Sequence, residues 1–174
     1  MDSFIIENES INFKLDKYKA GIERVSTKKR IKPFEKNGLP CRKFSTPVTN
    51  KNIAKIYIIY NKNHALVYIG KTTQSITNRL RQGLNPISGS GYHGYRWQEK
   101  ENIYIHCITI PSFTDKEIEA TEAELVYLHK KLTGKWPLYQ SEIHFSNNNK
   151  AAAAAEKIYK IVAKNTSIMS NINE

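Results

Sequence analysis

The sequence predicts an α/β protein of the α+β kind: a small domain with a three-stranded, mainly antiparallel sheet flanked by helices. Three observations carry that expectation. KIYIIY at 55–60 and VYIG at 67–70 are two strand-like runs joined by the asparagine-bearing turn NKNHA. IYIHCITI at 103–110 is a third run of strand length. The segments 114–132 and 151–164 instead carry helix signals. At 174 residues, 40% of them hydrophobic, the chain suffices for one domain with a modest core.

Residues 1–50 show no sustained period and read as a basic N-terminal arm. Within them, STKKRIKPFEKNGLPCRK at 26–43 holds seven basic residues and one acid. Lys28, Lys29, Arg30 and Lys32 are candidate phosphate contacts, or a solvated surface. In the first strand Ile56 and Ile58 alternate with Tyr57 and Ile59. If Val67 and Ile69 join the Ile56 face, Tyr68 joins Tyr57 on the other. Ser75 is placed to cap a helix over 76–82, where Ile76 and Leu80 make an apolar edge flanked by Arg79. Gly70 is expected to turn the chain from strand into helix, aiming Arg79 back over the tyrosines. Arg81 reads as a surface phosphate contact.

PISGSGYHGYRW at 86–97 is a glycine-rich, aromatic and basic loop, with Trp97 expected to pack. After the third strand, whose His106 and Cys107 read as structural, Thr114 and Glu117 form a capping-box pattern. On the helical wheel that follows, Ile118, Leu125, His129 and Leu132 cluster, with Val126 at the edge. Glu122 falls inside that arc and Glu124 nearer its border. A carboxylate in an apolar stripe is costly unless it is paired or holds a cation, and an oxygen ligand suits Mg²⁺ or Mn²⁺. A loop with a short strand at 142–145 leads to the alanine-rich helix at 151–164, and the tail is polar. The expected division is an arm over 1–50, a domain over 51–147, and a C-terminal helix and tail over 148–174.

The net charge is +11, with a pI near 9.6, so the expected partner is a polyanion, nucleic acid foremost. No apolar run reaches the roughly 18 residues of a spanning helix. MDSFIIENES lacks the basic-then-apolar order of a leader peptide. Two cysteines, Cys41 and Cys107, exclude a Cys-rich zinc site and a disulfide framework, and a reducing cytoplasm is the expected compartment. Gly70-Lys71-Thr72 is not the end of a P-loop, because the glycine required five residues earlier is Ala65.

Lys55-Ile56-Tyr57, ten residues, and then Tyr68-Ile69-Gly70 resembles the signature of the GIY-YIG nucleases. The later Arg79, Glu122 and Trp136-Pro137-Leu138-Tyr139-Gln140 extend the resemblance to about residue 147. It implies hydrolysis of a DNA phosphodiester, in duplex DNA, with one divalent metal, Mg²⁺ or Mn²⁺. Arg79 would stabilise charge on the scissile phosphate. Glu122 would hold the metal, with Glu124 as runner-up. Tyr57 and Tyr68 match the motif tyrosines, Tyr57 as general base. Tyrosine's ordinary pKa lies near ~10, so cations are needed to make it a base, and Lys71, Arg79 and the metal are those available. The chain departs from the pattern at Lys55 for the first glycine, at Gly83 where relatives carry a histidine or tyrosine, and at Gln140 for an asparagine. His93 is the candidate substitute for the missing residue at Gly83. Two alternatives stand beside the DNA endonuclease: an inactive nucleic-acid-binding module and an RNA-directed nuclease.

Overall fold

The computed structural model describes residues 3–6, 9–86, 97, 102–140, 143 and 145–164. The elements are β1 (Ser3–Ile6), β2 (Glu9–Asn12), β3 (Lys14–Val25), β4 (Lys28–Lys36), β5 (Leu39–Pro40), β6 (Lys55–Asn61), β7 (Leu66–Thr72), α1 (Ile76–Leu84), β8 (Asn102–Thr109), α2 (Asp115–Thr133) and α3 (Asn149–Lys164). β1 and β2 form a separate hairpin. The other strands make one antiparallel sheet in the order β5-β4-β3-β8-β6-β7.

The fold is therefore mixed α/β as expected, but its sheet has six strands rather than three. The extra strands come from the residues that read as an arm. β3 pairs along its length with β8, from Lys14 opposite Thr109 to Gly21 opposite Asn102. The hydropathy pattern hides β3 because its buried face is Asp16, Tyr18 and Ala20. Asp16 is fully buried and tolerable there because Lys36 of β4 meets it at 3.1 Å. The basic residues at 28–36 are thus a sheet hairpin, not a free arm.

The sheet has two buried faces. Ile56, Ile58, Tyr60, Ile69 and Ile108 pack under Ile118, Leu125 and Val126 of α2 and Ile158 of α3. Tyr57, Ile59, Val67, Ile105 and Cys107 pack on the other face under Ile76, Leu80 and Leu84 of α1, with Trp97. Simple alternation places Val67 beside Ile69, yet it shares the face of Tyr57 and Ile59. The cause is a bulge: Ile59 faces Tyr68, Tyr60 faces Leu66, and Val67 is the extra residue.

α2 starts with the expected box, Thr114 Oγ accepting from Glu117 N at 3.2 Å and Thr114 N donating to Glu117 Oε2 at 2.7 Å. It ends on Gly134 at φ 73°, the left-handed conformation that glycine adopts at no steric cost. Leu132, expected on the apolar face, is 47% exposed, since the last turn of α2 carries it out of the core. Ser75 occupies the N-cap position of α1 without a side-chain cap bond. Ile76 N instead donates to Val48 O at 3.0 Å, tying α1 to the loop before β6. Of the expected strand at 142–145, Ile143 and Phe145 are non-strand, and the other two residues lie outside the described set.

Candidate active site

β6 and β7 lie side by side, and their register explains the second motif. Tyr57 faces Gly70, and Ile59 faces Tyr68. The two phenol rings sit with centroids 6.0 Å apart on the α1 face. Tyr57 is fully buried, and its ring lies across the space above Gly70. A Cβ at position 70 would collide with Tyr57 Cζ and Oη and would stand 2.7 Å from Tyr68 Cε1. The glycine is required by close approach and not by a turn, for β7 continues through it to Thr72. The expectation that Gly70 turns strand into helix is corrected accordingly.

α1 then carries Arg79 over the tyrosines. Arg79 Nε donates to Tyr57 Oη at 3.2 Å. The phenol oxygen is the acceptor in this bond, which leaves its own proton to point elsewhere. Arg81 is exposed two residues on. Gly83 is buried on α1, a place where a larger side chain would need room.

Glu122 comes from α2 to the same edge of the sheet. Burial pushes its carboxyl up to about 7, against the opposing fields of Lys71 and Arg79, with Glu119 raising it further and the Lys71 N–H lowering it. The backbone N–H of Lys71 donates to this carboxylate. Ile118 and Val126, the helical neighbours of Glu122, are fully buried. Glu124 lies two residues along, half-buried.

The outer edge of β7 is closed by the same elements. Leu138 N donates to Leu66 O at 3.3 Å and Tyr139 N to Val67 O at 2.8 Å. Ile69 N donates to Gln140 Oε1 at 3.1 Å, and Lys71 N to Glu122. Gln140 thus serves the β7 edge through its carbonyl oxygen, a use the sequence did not reveal. Lys71 also differs from expectation. Its ammonium is directed to Asp115 at 3.4 Å, in the first turn of α2, because Lys71 alternates to the face opposite Tyr68 and Gly70.

Lys55, which replaces the first motif glycine, is fully buried. Its ammonium donates to three carbonyls: Asn50 O at 2.8 Å, Ile53 O at 2.6 Å and Gln74 O at 2.9 Å. Burial lowers its pKa to about 8, so it remains an ammonium at neutral pH. It fastens the loop before β6 to the turn before α1. A lysine inside a strand core, flanked by Asn50 and Gln74 loops, was the available signal for this role.

Of the remaining candidates, Lys29 lies beside α1, its main chain bridged to Asn85 by bonds of 2.8 and 2.7 Å. Arg30 pairs with Glu23, and Lys32 stands 3.8 Å from the same carboxylate. Lys28 is exposed at the hairpin turn. Their strand register puts Lys28, Arg30 and Lys32 on the face opposite Tyr57 and Arg79. His93 lies outside the described residues. Trp97 is buried with its ring centroid 6.5 Å from that of Tyr68. His106 and Cys107 are buried in β8.

Fold and site together define a mixed α/β domain with paired tyrosines, a helix arginine and a desolvated glutamate at one sheet edge. Residues 54–138 match the family model described as the GIY-YIG catalytic domain. Over those residues the chain matches the catalytic domain of a nuclease superfamily. No curated protein and no solved structure matches the chain.

Proposed function

We propose that this chain is an endonuclease that hydrolyses DNA phosphodiester bonds with the help of one divalent metal, Mg²⁺ or Mn²⁺. The observation that carries the reading is the convergence of Arg79, bonded to Tyr57 at 3.2 Å, and the desolvated Glu122 on one edge of β7. The superfamily supplies nucleic acid as the substrate class, and the net charge of +11 suits duplex DNA.

The donor set fits a hard cation. Glu122 is a single desolvated carboxylate, and among the described residues no group of three His, Cys, Asp or Glu is placed to hold a metal. Glu122 would hold the ion by one carboxylate, which suits Mg²⁺, an ion usually held by one or two protein carboxylates. When bound, the cation supplies Lewis-acid stabilisation of charge on the phosphate.

The chain's own residues do the rest. Arg79 is a planar donor fork held by Tyr57, and its guanidinium would stabilise charge on phosphate oxygens. Tyr57 is buried and bonded to Arg79, whereas Tyr68 is only partly buried. Tyr57 therefore serves first to aim the guanidinium, and Tyr68 is the phenol that a water molecule can approach. Lys71 and Asp115 fix the β7–α2 junction behind Glu122. Among the described residues no helix is long and apolar enough to cross a membrane, and Cys41 and Cys107 are free thiols, which suits a reducing cytoplasm.

The test is cleavage of supercoiled plasmid with Mg²⁺, Mn²⁺ or EDTA. Wild-type protein should cut with metal and not with EDTA. Glu122→Gln, which keeps an acceptor for Lys71 N–H, should bind DNA but not cut. A Glu122→Gln protein that cuts at the wild-type rate would remove the metal assignment, and an inert wild type would leave a binding module. Parallel assays on RNA decide the sugar.

A further inference from the structure

A large cavity among the described residues lies away from the tyrosines. It is an open concavity of about 930 Å³ on the other face of the sheet. α2 and α3 cover that face over β6 and β7, and Ile161 of α3 forms the rim of the hollow. Beyond the rim, the hollow over β3 and β8 is lined by Lys14, Lys17, Lys19 and Tyr104. The strand registers extend the same face outward. Lys17 stands opposite His106 and Lys19 opposite Tyr104 on β8. Gly21 stands opposite Lys32 and Glu23 opposite Arg30 on β4.

Lys17, Lys19, Arg30 and Lys32 thus share one sheet face with two described carboxylates, and Lys14 adds its charge at the end of the hollow. Glu35 meets Lys19 at 2.9 Å, and Glu23 serves both Arg30 and Lys32. Among the described residues the single carboxylate of Glu23 answers two cations, so its end of the face carries more positive than negative charge. In its midst lies an aromatic platform. Tyr104 is half-buried, the His64 ring lies 4.6 Å from it at 31°, and the Lys19 ammonium sits 6.0 Å from its centroid.

We propose that this face, open among the described residues, binds a single strand of nucleic acid. Phosphates would run along the lysines, and a base would stack on the Tyr104–His64 platform. A concave basic sheet with an accessible aromatic ring has the two features that such a strand needs, a cationic track and a stacking surface. A duplex offers the phosphates but keeps its base faces stacked inside. The site stands apart from the nuclease reading, because it is on the opposite face from Arg79 and requires no metal.

The test uses the full chain in EDTA, where no cutting occurs. Binding of a fluorescein-labelled ten-nucleotide oligothymidylate is followed by anisotropy over a range of salt, with an RNA strand and a duplex in parallel. Lys14→Glu with Lys17→Glu should weaken the single-strand affinity by about tenfold or more. Its log–log salt slope should fall by about 0.7 for each phosphate that the variant no longer neutralises. The control, Lys116→Glu with Lys131→Glu, changes charge equally on the exposed side of α2 and should have a much smaller effect. An independent reading on unaltered protein is photo-crosslinking with 5-iodouracil strands, which should mark the peptide containing Tyr104. Equal weakening by both charge-reversed pairs, cross-links absent from that peptide, or no single-strand binding by the wild type would each overturn the proposal.

Discussion

Replacing Gly70 by alanine tests the geometry that joins the two motif tyrosines. The new Cβ would stand 2.7 Å from Tyr68 Cε1 and closer still to Tyr57 Cζ and Oη. Carbon atoms pack at about 3.5–4.0 Å, so roughly an ångström of displacement must be found. Tyr57 cannot supply it freely, being fully buried in the cluster that holds Ile59, Ile76 and Leu80 and bonded to Arg79. Overpacking of this kind costs about 1–3 kcal/mol. A misplacement of about 1 Å in a catalytic group costs on the order of 10²-fold in rate. Gly70→Ala should therefore lower stability by that amount and cut the single-turnover rate at least as steeply. Chemical denaturation and plasmid cleavage at saturating enzyme read the two effects. The clash is specific to the ring, so in a Tyr57→Leu background the stability cost of Gly70→Ala should shrink, a coupling that a double-mutant cycle isolates. If Gly70→Ala is as stable and as active as wild type, the packing of Tyr57 over the glycine is not what the sequence preserves there.

Three further outcomes are expected. Arg79→Lys keeps the charge but loses the planar fork, so it should bind DNA nearly normally and cut about 10²–10³-fold more slowly, while exposed Arg81→Lys stays near wild type in single-turnover assays. Lys55→Met removes three bonds between the loop at 50–53 and the turn at Gln74, so amide exchange at the start of α1 should quicken and the cleavage rate fall at unchanged DNA affinity; unchanged exchange there would refute the fastening role. Burial lowers the pKa of His106 to about 4, with Lys17 and His64 adding to the effect. A histidine depressed from 6.5 contributes stability that is present above that value and lost as the pH falls through 4. His106→Gln should thus flatten the acid loss of stability, by up to about 3 kcal/mol, in denaturation curves between about pH 7 and pH 4.

The strands and helices that carry strong apolar periods were legible in the sequence: β6, β7, β8, α1, α2 and α3 all fall within a few residues of expectation. β3 and β4 were not, because a buried Asp16–Lys36 pair and a row of lysines do not look like a strand to a hydropathy pattern. The position of Glu122 was legible as a carboxylate out of place on an apolar arc, and burial is what displaces its pKa. For Lys71 alternation from Tyr68 gave the face, but Asp115 as its partner depends on where α2 begins. Gly70 could have been read better. A register count across the hairpin puts it opposite Tyr57, and a glycine facing an aromatic ring in a strand signals close approach.

The bond from Lys71 N to Glu122 bears on how the chain meets other copies of itself. A strand at the margin of a sheet offers a row of open amides on which a second chain can add. Here that edge is occupied: Gln140 and the Glu122 carboxylate accept from the N–H groups of Ile69 and Lys71, and the N–H groups of Leu138 and Tyr139 donate to the carbonyls of Leu66 and Val67. Whatever else it does, the glutamate then guards this edge against polymerisation. An acid or amide at this position would therefore close the edge whether or not the chain cuts nucleic acid.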